Sequence, residues 1–156
     1  MKKKDFTKKL KNTSFFFDKE NKGVYIEGPL GIRQLETPRF RSKNLFRAFL
    51  RKNMIGVSVP FVVRLNFVGV GFRVEDQTKN ELILKIGYSH LVYVPIPNGI
   101  KVIVQKKINI ILSGSDEQLV KEFAAVLRSY RFPDVYKGKG LLFKNEKINL
   151  KEGKSR

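Results

Sequence analysis

Between Phe61 and Leu112 apolar residues return at every second position, and that period limits what the segment can become. A strand turns successive side chains to opposite faces, so alternation predicts sheet with one buried and one wet face. Phe61, Val63, Leu65 and Phe67 set one phase, and Val68, Val70, Phe72 and Val74 take the other. A one-residue change of phase inside a strand predicts a β-bulge, with Gly69 and Gly71 softening the backbone there. Asp76–Asn80 reads as a turn, and Leu82, Leu84, Ile86 and Tyr88 begin a return strand that runs on to Val94. Pro95–Gly99 turns again; Ile100, Val102 and Val104, then Ile108, Ile110 and Leu112, complete about four antiparallel strands.

A helix follows over residues 116–130. Ser115 and Gln118 have capping-box spacing. Asp116 and Glu117 suit the positive end of the helix dipole, and Arg128 and Arg131 the negative end. Leu119, Phe123, Leu127 and Tyr130 form one face, with Val120, Ala124 and Val126 beside it, and Pro133 ends the helix. A helix packed on one face of an antiparallel sheet is an α+β layer.

The same order of elements occurs earlier in reduced form. Val24–Ile26, the turn signals Gly28-Pro29 and Gly31, and Ile32-Arg33 predict strand, turn, strand. Leu45, Phe46, Phe49, Leu50 and Met54 then form an apolar stripe with a basic opposite face, and Gly56 is the expected stop. The expected division is a basic arm over 1–22, a reduced α+β unit over 23–58, a second α+β unit over 59–132, and a basic tail over 133–156. The arm reads either as a solvated tail or as a segment that orders on RNA. It makes a poor signal or transit peptide, being lysine-rich, acid-containing and without an apolar core.

Charge narrows the function. Lys and Arg number 32 against 14 Asp and Glu, a net charge of +18. Such an excess implies a polyanionic partner, nucleic acid first and an anionic membrane surface second. No apolar run reaches the length of a membrane span. With no cysteine and one histidine, His90, thiolate chemistry and a two-histidine zinc site are excluded. The carboxylates are scattered, so no catalytic residues, no metal and no cofactor are predicted, and no small-molecule substrate. Ser89-His90 fails as a nucleophile–base pair, because neighbours on a strand point to opposite faces.

The tail carries the best candidate binding residues. From residue 128 onward nine bases face three acids. Tyr136-Lys137-Gly138-Lys139-Gly140 sets an aromatic ring for stacking beside lysines for phosphates, with glycines that let backbone amides approach closely. Lys144, Lys147, Lys151 and Lys154 extend the charge. A solubilising tail is the bland alternative, and the aromatic and glycine punctuation favours RNA.

These residues also carry a resemblance. Phe67-Val68-Gly69-Val70-Gly71-Phe72-Arg73, Gly87-Tyr88-Ser89-His90, the Arg128, Arg131, Pro133 and Tyr136–Gly140 set, and Lys151–Lys154 resemble, in order, the signatures of the large-subunit ribosomal protein L-six family. The resemblance implies two duplicated antiparallel-sheet-plus-helix units, the first one shortened here. It implies a structural role without enzyme activity, binding large-subunit rRNA near the sarcin–ricin region where translational GTPases dock, beside neighbouring large-subunit proteins. Arg128, Arg131, Tyr136, Lys137, Gly138, Lys139 and Gly140 would touch RNA, with Ser89 and His90 as weaker candidates. Phe132 and Leu91 stand where the family has proline. Lys-, Asn-, Ile- and Phe-heavy usage points to a mitochondrial ribosome in the matrix, with a plastid or bacterial ribosome as the alternative. A free basic nucleic-acid-binding protein outside the ribosome is the competing reading; it would need polar base readers on a helix that instead carries Asp116, Glu117 and Glu122.

Overall fold

Val24 and Ile26 alternate with Tyr25 and Glu27, and this short pattern seeds the first sheet. The computed structural model describes residues 13–18, 23–35 and 42–153. Strands β1 (Ser14–Asp18), β2 (Gly23–Gly28) and β3 (Gly31–Leu35) pair antiparallel in the order β1-β2-β3. Val24 faces Leu35 across the ladder, and both are buried with Ile26. Helix α1 (Lys43–Ser58) covers that face through Val57, Phe49, Leu50 and Met54. On β1, within the segment read as an arm, Phe16 stacks on Tyr25 at 5.4 Å.

Ser42 caps α1, its hydroxyl accepting from the amides of Asn44 and Leu45 at 3.2 and 3.4 Å. Gly56 does not stop the helix. It is buried inside it, and a β-carbon there would lie 2.0 Å from the carbonyl oxygen of Ser115. Its absent side chain admits another backbone, and the helix runs on until Val59-Pro60. The buried stripe is accordingly Asn53, Gly56 and Val57, while Leu45 is exposed.

The chain divides into two compact units, Met1–Phe61 with Gly114–Glu117 and Val62–Ser113 with Gln118–Arg156. Apart from the end residues Phe61, Gly114 and Glu117, the second holds β4 (Phe61–Val68), β5 (Arg73–Gln77), β6 (Glu81–Lys85), β7 (Val92–Pro95), β8 (Ile100–Gln105), β9 (Asn109–Gly114), α2 (Glu117–Ser129) and β10 (Gly140–Phe143). Two sheets result, ordered β10-β4-β9-β8 and β5-β6-β7. The stretch expected to hold four strands holds six, and β10 comes from the segment read as a tail. The phase change after Phe67 is not a bulge: the chain leaves one sheet there, turns through Gly69-Val70-Gly71 with Val70 92% exposed, and enters the other. The register slip lies instead between Val74 and Asp76. The return strand likewise breaks, because residues 86–91 bend between β6 and β7.

Leu65, Leu82, Leu84, Ile86, Ile110, Leu112 and Leu127 are fully buried in one core. Val120, Phe123, Ala124 and Leu127 form the buried stripe of α2, shifted from the expected face, and Val126 is exposed. Asp116, not Ser115, immediately precedes the first helical residue. The architecture is α+β, with antiparallel sheets and two helices.

Candidate nucleic-acid interface

The segment after α2 is built, not trailing. Asp134 accepts the amides of Tyr136 and Lys137 through its carboxylate at 3.1 and 3.3 Å. Its carbonyl accepts from the Gly138 amide at 2.8 Å, and its own amide donates to the Lys139 carbonyl at 2.9 Å. An Asx-type turn of this kind fixes the backbone locally. One acid is thereby consumed by amides, and Tyr136, Lys137 and Lys139 stand exposed around it.

Gly140 then closes the loop against its own start. A β-carbon there would lie 2.6 Å from the Pro133 Cα and 2.8 Å from the Phe132 carbonyl oxygen. Gly140 is buried, and the space a side chain would need is taken by protein main chain. Gly138 is half-buried. Beyond it, β10 pairs antiparallel with β4, and Leu141 is fully buried with its amide donating to the Arg131 carbonyl at 3.1 Å. The Lys144 amide donates to the Arg64 carbonyl, and the Lys151 amide to that of Val135. Lys144, Lys147 and Lys151 are exposed on this anchored segment, and Lys154 lies outside the described residues.

Arg128 is committed internally. Its guanidinium pairs with Glu146 and lies 5.7 and 5.6 Å from the rings of Phe132 and Phe143. Glu146 also accepts the Phe143 amide at 3.1 Å. The arginine therefore ties the end of α2 to β10.

Arg131 does something different. Its guanidinium lies 5.4 Å from the Tyr88 ring and 5.9 Å from the Phe72 ring. Tyr88 stacks on His90 at 5.7 Å with planes 11° apart, and its hydroxyl donates to the Tyr130 carbonyl at 2.9 Å. Three stretches far apart in sequence so converge on one surface of the second unit. Gly87 makes room for Phe72, where a β-carbon would meet the ring at 2.8 Å; a β-carbon on Gly69 would meet the Lys139 Cβ at 3.4 Å. Ser89 and His90 are exposed and sit on a bend, not on a strand; His90 partners Tyr88.

Sequence reasoning missed two parts. The first is a hollow of about 320 Å³ beside this stack, lined by Glu75, Lys85, Tyr88, Ser89, His90 and Leu91. Arg73 donates to Glu75 at 2.7 and 3.2 Å, and this hydrogen bonding holds the carboxyl below its usual range against the opposing effect of desolvation. The second is the turn between β8 and β9, where Lys106 and Lys107 take φ of 55° and 58°. Its backbone receives the amides of Val74 at Lys107 and Phe67 at Ile108. Two lysines flanked by alternating strands were the available signal. Among the described residues no group of three or more His, Cys, Asp or Glu side chains is placed to hold a metal, and no helix is long and apolar enough to cross a membrane.

Fold and surface together define a small basic α+β protein with an arginine- and lysine-rich face laced with aromatic rings. Residues 68–144 match the family described as Ribosomal protein L6. The chain is 40% identical over 134 residues to the large ribosomal subunit protein uL6 of Chlorobium luteolum, covering 85% of this chain and 74% of that one. It is 42% identical over 118 residues to uL6 of Chloroherpeton thalassium, covering 76% and 65%, and 46% identical over 111 residues to uL6c of Phaeodactylum tricornutum, covering 71% and 62%. The chain belongs to the ribosomal protein L6 family, whose members are structural constituents of the ribosome and not enzymes. It spans only about three fifths of the length of several of the curated relatives it matches, which come from bacteria and plastids.

Proposed function

We propose that this protein is a structural constituent of the large ribosomal subunit, binding large-subunit rRNA near the sarcin–ricin region and stabilising the area where translation factors dock. The observation that carries this reading is the convergence of the three family motifs on one cationic face, where Arg131, Tyr88, His90 and Lys139 meet around Phe72 and Gly69. Rigid presentation supports it: the Asp134 turn and the buried Leu141 fix the lysines before RNA arrives, which lowers the ordering cost of binding.

The proposed contacts are Arg131, Tyr136, Lys137 and Lys139, joined by Lys144, Lys147, Lys151 and Lys154, with Ser89 and His90 at the other end of the aromatic stack. Arg128 and Gly140 serve as their scaffold. Lysine outnumbers arginine across the chain, which suits diffuse phosphate contact and recognition of RNA shape. We assign the protein to a mitochondrial ribosome on its Lys-, Asn-, Ile- and Phe-heavy composition. Neighbouring large-subunit proteins complete its partners. Chemical footprinting of large-subunit rRNA with the purified chain tests the placement. Protection centred on the sarcin–ricin region is expected, and protection spread evenly over the rRNA contradicts it.

A further inference from the structure

We infer that the hollow beside the Tyr88–His90 stack is a binding site for one unpaired guanine base of RNA. The inference rests on the RNA-binding reading above and adds what the RNA must present there.

One wall is aromatic. Tyr88 and His90 lie nearly parallel, and the Arg131 guanidinium extends the ladder on Tyr88. The Tyr88 hydroxyl is tied to the Tyr130 carbonyl, so the ring orientation is set in advance. Tyr88 and Leu91 are 41% and 36% exposed, and His90 is exposed beside them. A flat ring system entering the hollow would remove this surface from water and continue the stack, as bases do on aromatic platforms.

The polar lining sets an acceptor beside donors, a pattern that suits the edge of a base. Glu75 lines the hollow, and Arg73 donates to both of its carboxylate oxygens. Each carboxylate oxygen accepts more than one hydrogen bond, so both retain capacity beyond Arg73. A carboxylate seeks a pair of N–H donors. Guanine offers two side by side, N1–H and the N2 amino group; adenine sets one amino group beside an acceptor nitrogen, and cytosine has one amino donor. Lys85 and Ser89 supply donors suited to the guanine O6 and N7 acceptors. In a duplex that edge is already paired, so the base must come from a loop or bulge.

The test uses the full chain and RNA hairpins identical except for one bulged position, carrying guanosine, adenosine or an abasic site. His90 is the sole histidine, so its ring protons report on the hollow without assignment ambiguity. The guanosine hairpin should bind at least about fivefold more tightly than the abasic one, the lower end of what stacking supplies. Its binding should shift the His90 ring resonances, and Glu75→Gln should remove the preference for guanosine over adenosine while the stacking shift remains. Equal affinities for the three hairpins overturn the inference, as does a His90 shift reproduced by inorganic phosphate alone. Binding to large-subunit rRNA in the same buffer separates the two readings. If rRNA binds while the hairpins are equal, only the guanine site fails; a chain that binds none of these RNAs overturns both.

Discussion

The Cα of Pro133 stands 2.6 Å from where a β-carbon on Gly140 would sit. Backbone meets backbone there, and neither side has a flexible side chain to yield. Gly140→Ala should therefore force the start of β10 away from its place, at a cost of roughly 1–3 kcal/mol, typical of overpacking. Urea unfolding reads the loss, and hydrogen exchange at the Leu141 amide, which donates to the Arg131 carbonyl, reads its location. An unchanged midpoint with full protection at Leu141 would show that the loop is not closed this way.

Lys137 and Lys139 stand exposed on the loop that Asp134 closes. The double variant Lys137→Ala with Lys139→Ala should weaken rRNA binding and reduce the slope of log K against log salt by about two, one for each phosphate no longer neutralised. A slope equal to the wild type's removes these lysines from the interface.

Lys106 and Lys107 both occupy the left-handed region, where an L-residue with a β-carbon costs about 1–2 kcal/mol. Two-residue hairpin turns of this geometry favour Asn-Gly. Lys106→Asn with Lys107→Gly should raise stability by roughly 1 kcal/mol or more in urea unfolding. A loss of rRNA affinity in the same variant would place these two cations at the interface; absence of any stability gain would refute the strain itself.

Glu75 has a folded-state pKa below its unfolded one because Arg73 donates to the carboxylate. Stability from this pair is present above the ordinary carboxylate range and is lost as pH falls through the lower, folded-state value. The pair sits at the surface, so the gain is small. Wild type and Glu75→Gln should differ slightly in urea midpoint at neutral pH and converge in strong acid. A gap that widens on acidification contradicts the assignment.

Much of this molecule was legible from period alone. The β2–β3 hairpin and α2 fell where turn residues and apolar spacing put them, because both signals are local. The phase change at Phe67-Val68 was visible, but a bulge and a chain leaving its sheet produce the same phase change, and only the pairing of β5 with β6 separates them. Gly56 reads as a helix stop until the Ser115 carbonyl is seen against it. β1 hid in a lysine-rich arm, where Phe15, Phe16 and Phe17 run together without alternation. Leu141 looked like tail because its burial depends on β4, distant in sequence. The proposed contacts Lys137 and Lys139 were readable from composition, whereas the Arg131–Tyr88–His90 ladder exists only once the fold brings α2's end to the bend after β6.

Co-sedimentation of the native protein on sucrose gradients, at low and at high salt, tests the central claim most directly. Stable comigration with the large ribosomal subunit is the predicted result, and the compartment whose ribosomes carry the protein then gives its location. Migration near the top of the gradient at both salts would contradict the account and leave a free nucleic-acid-binding protein in its place.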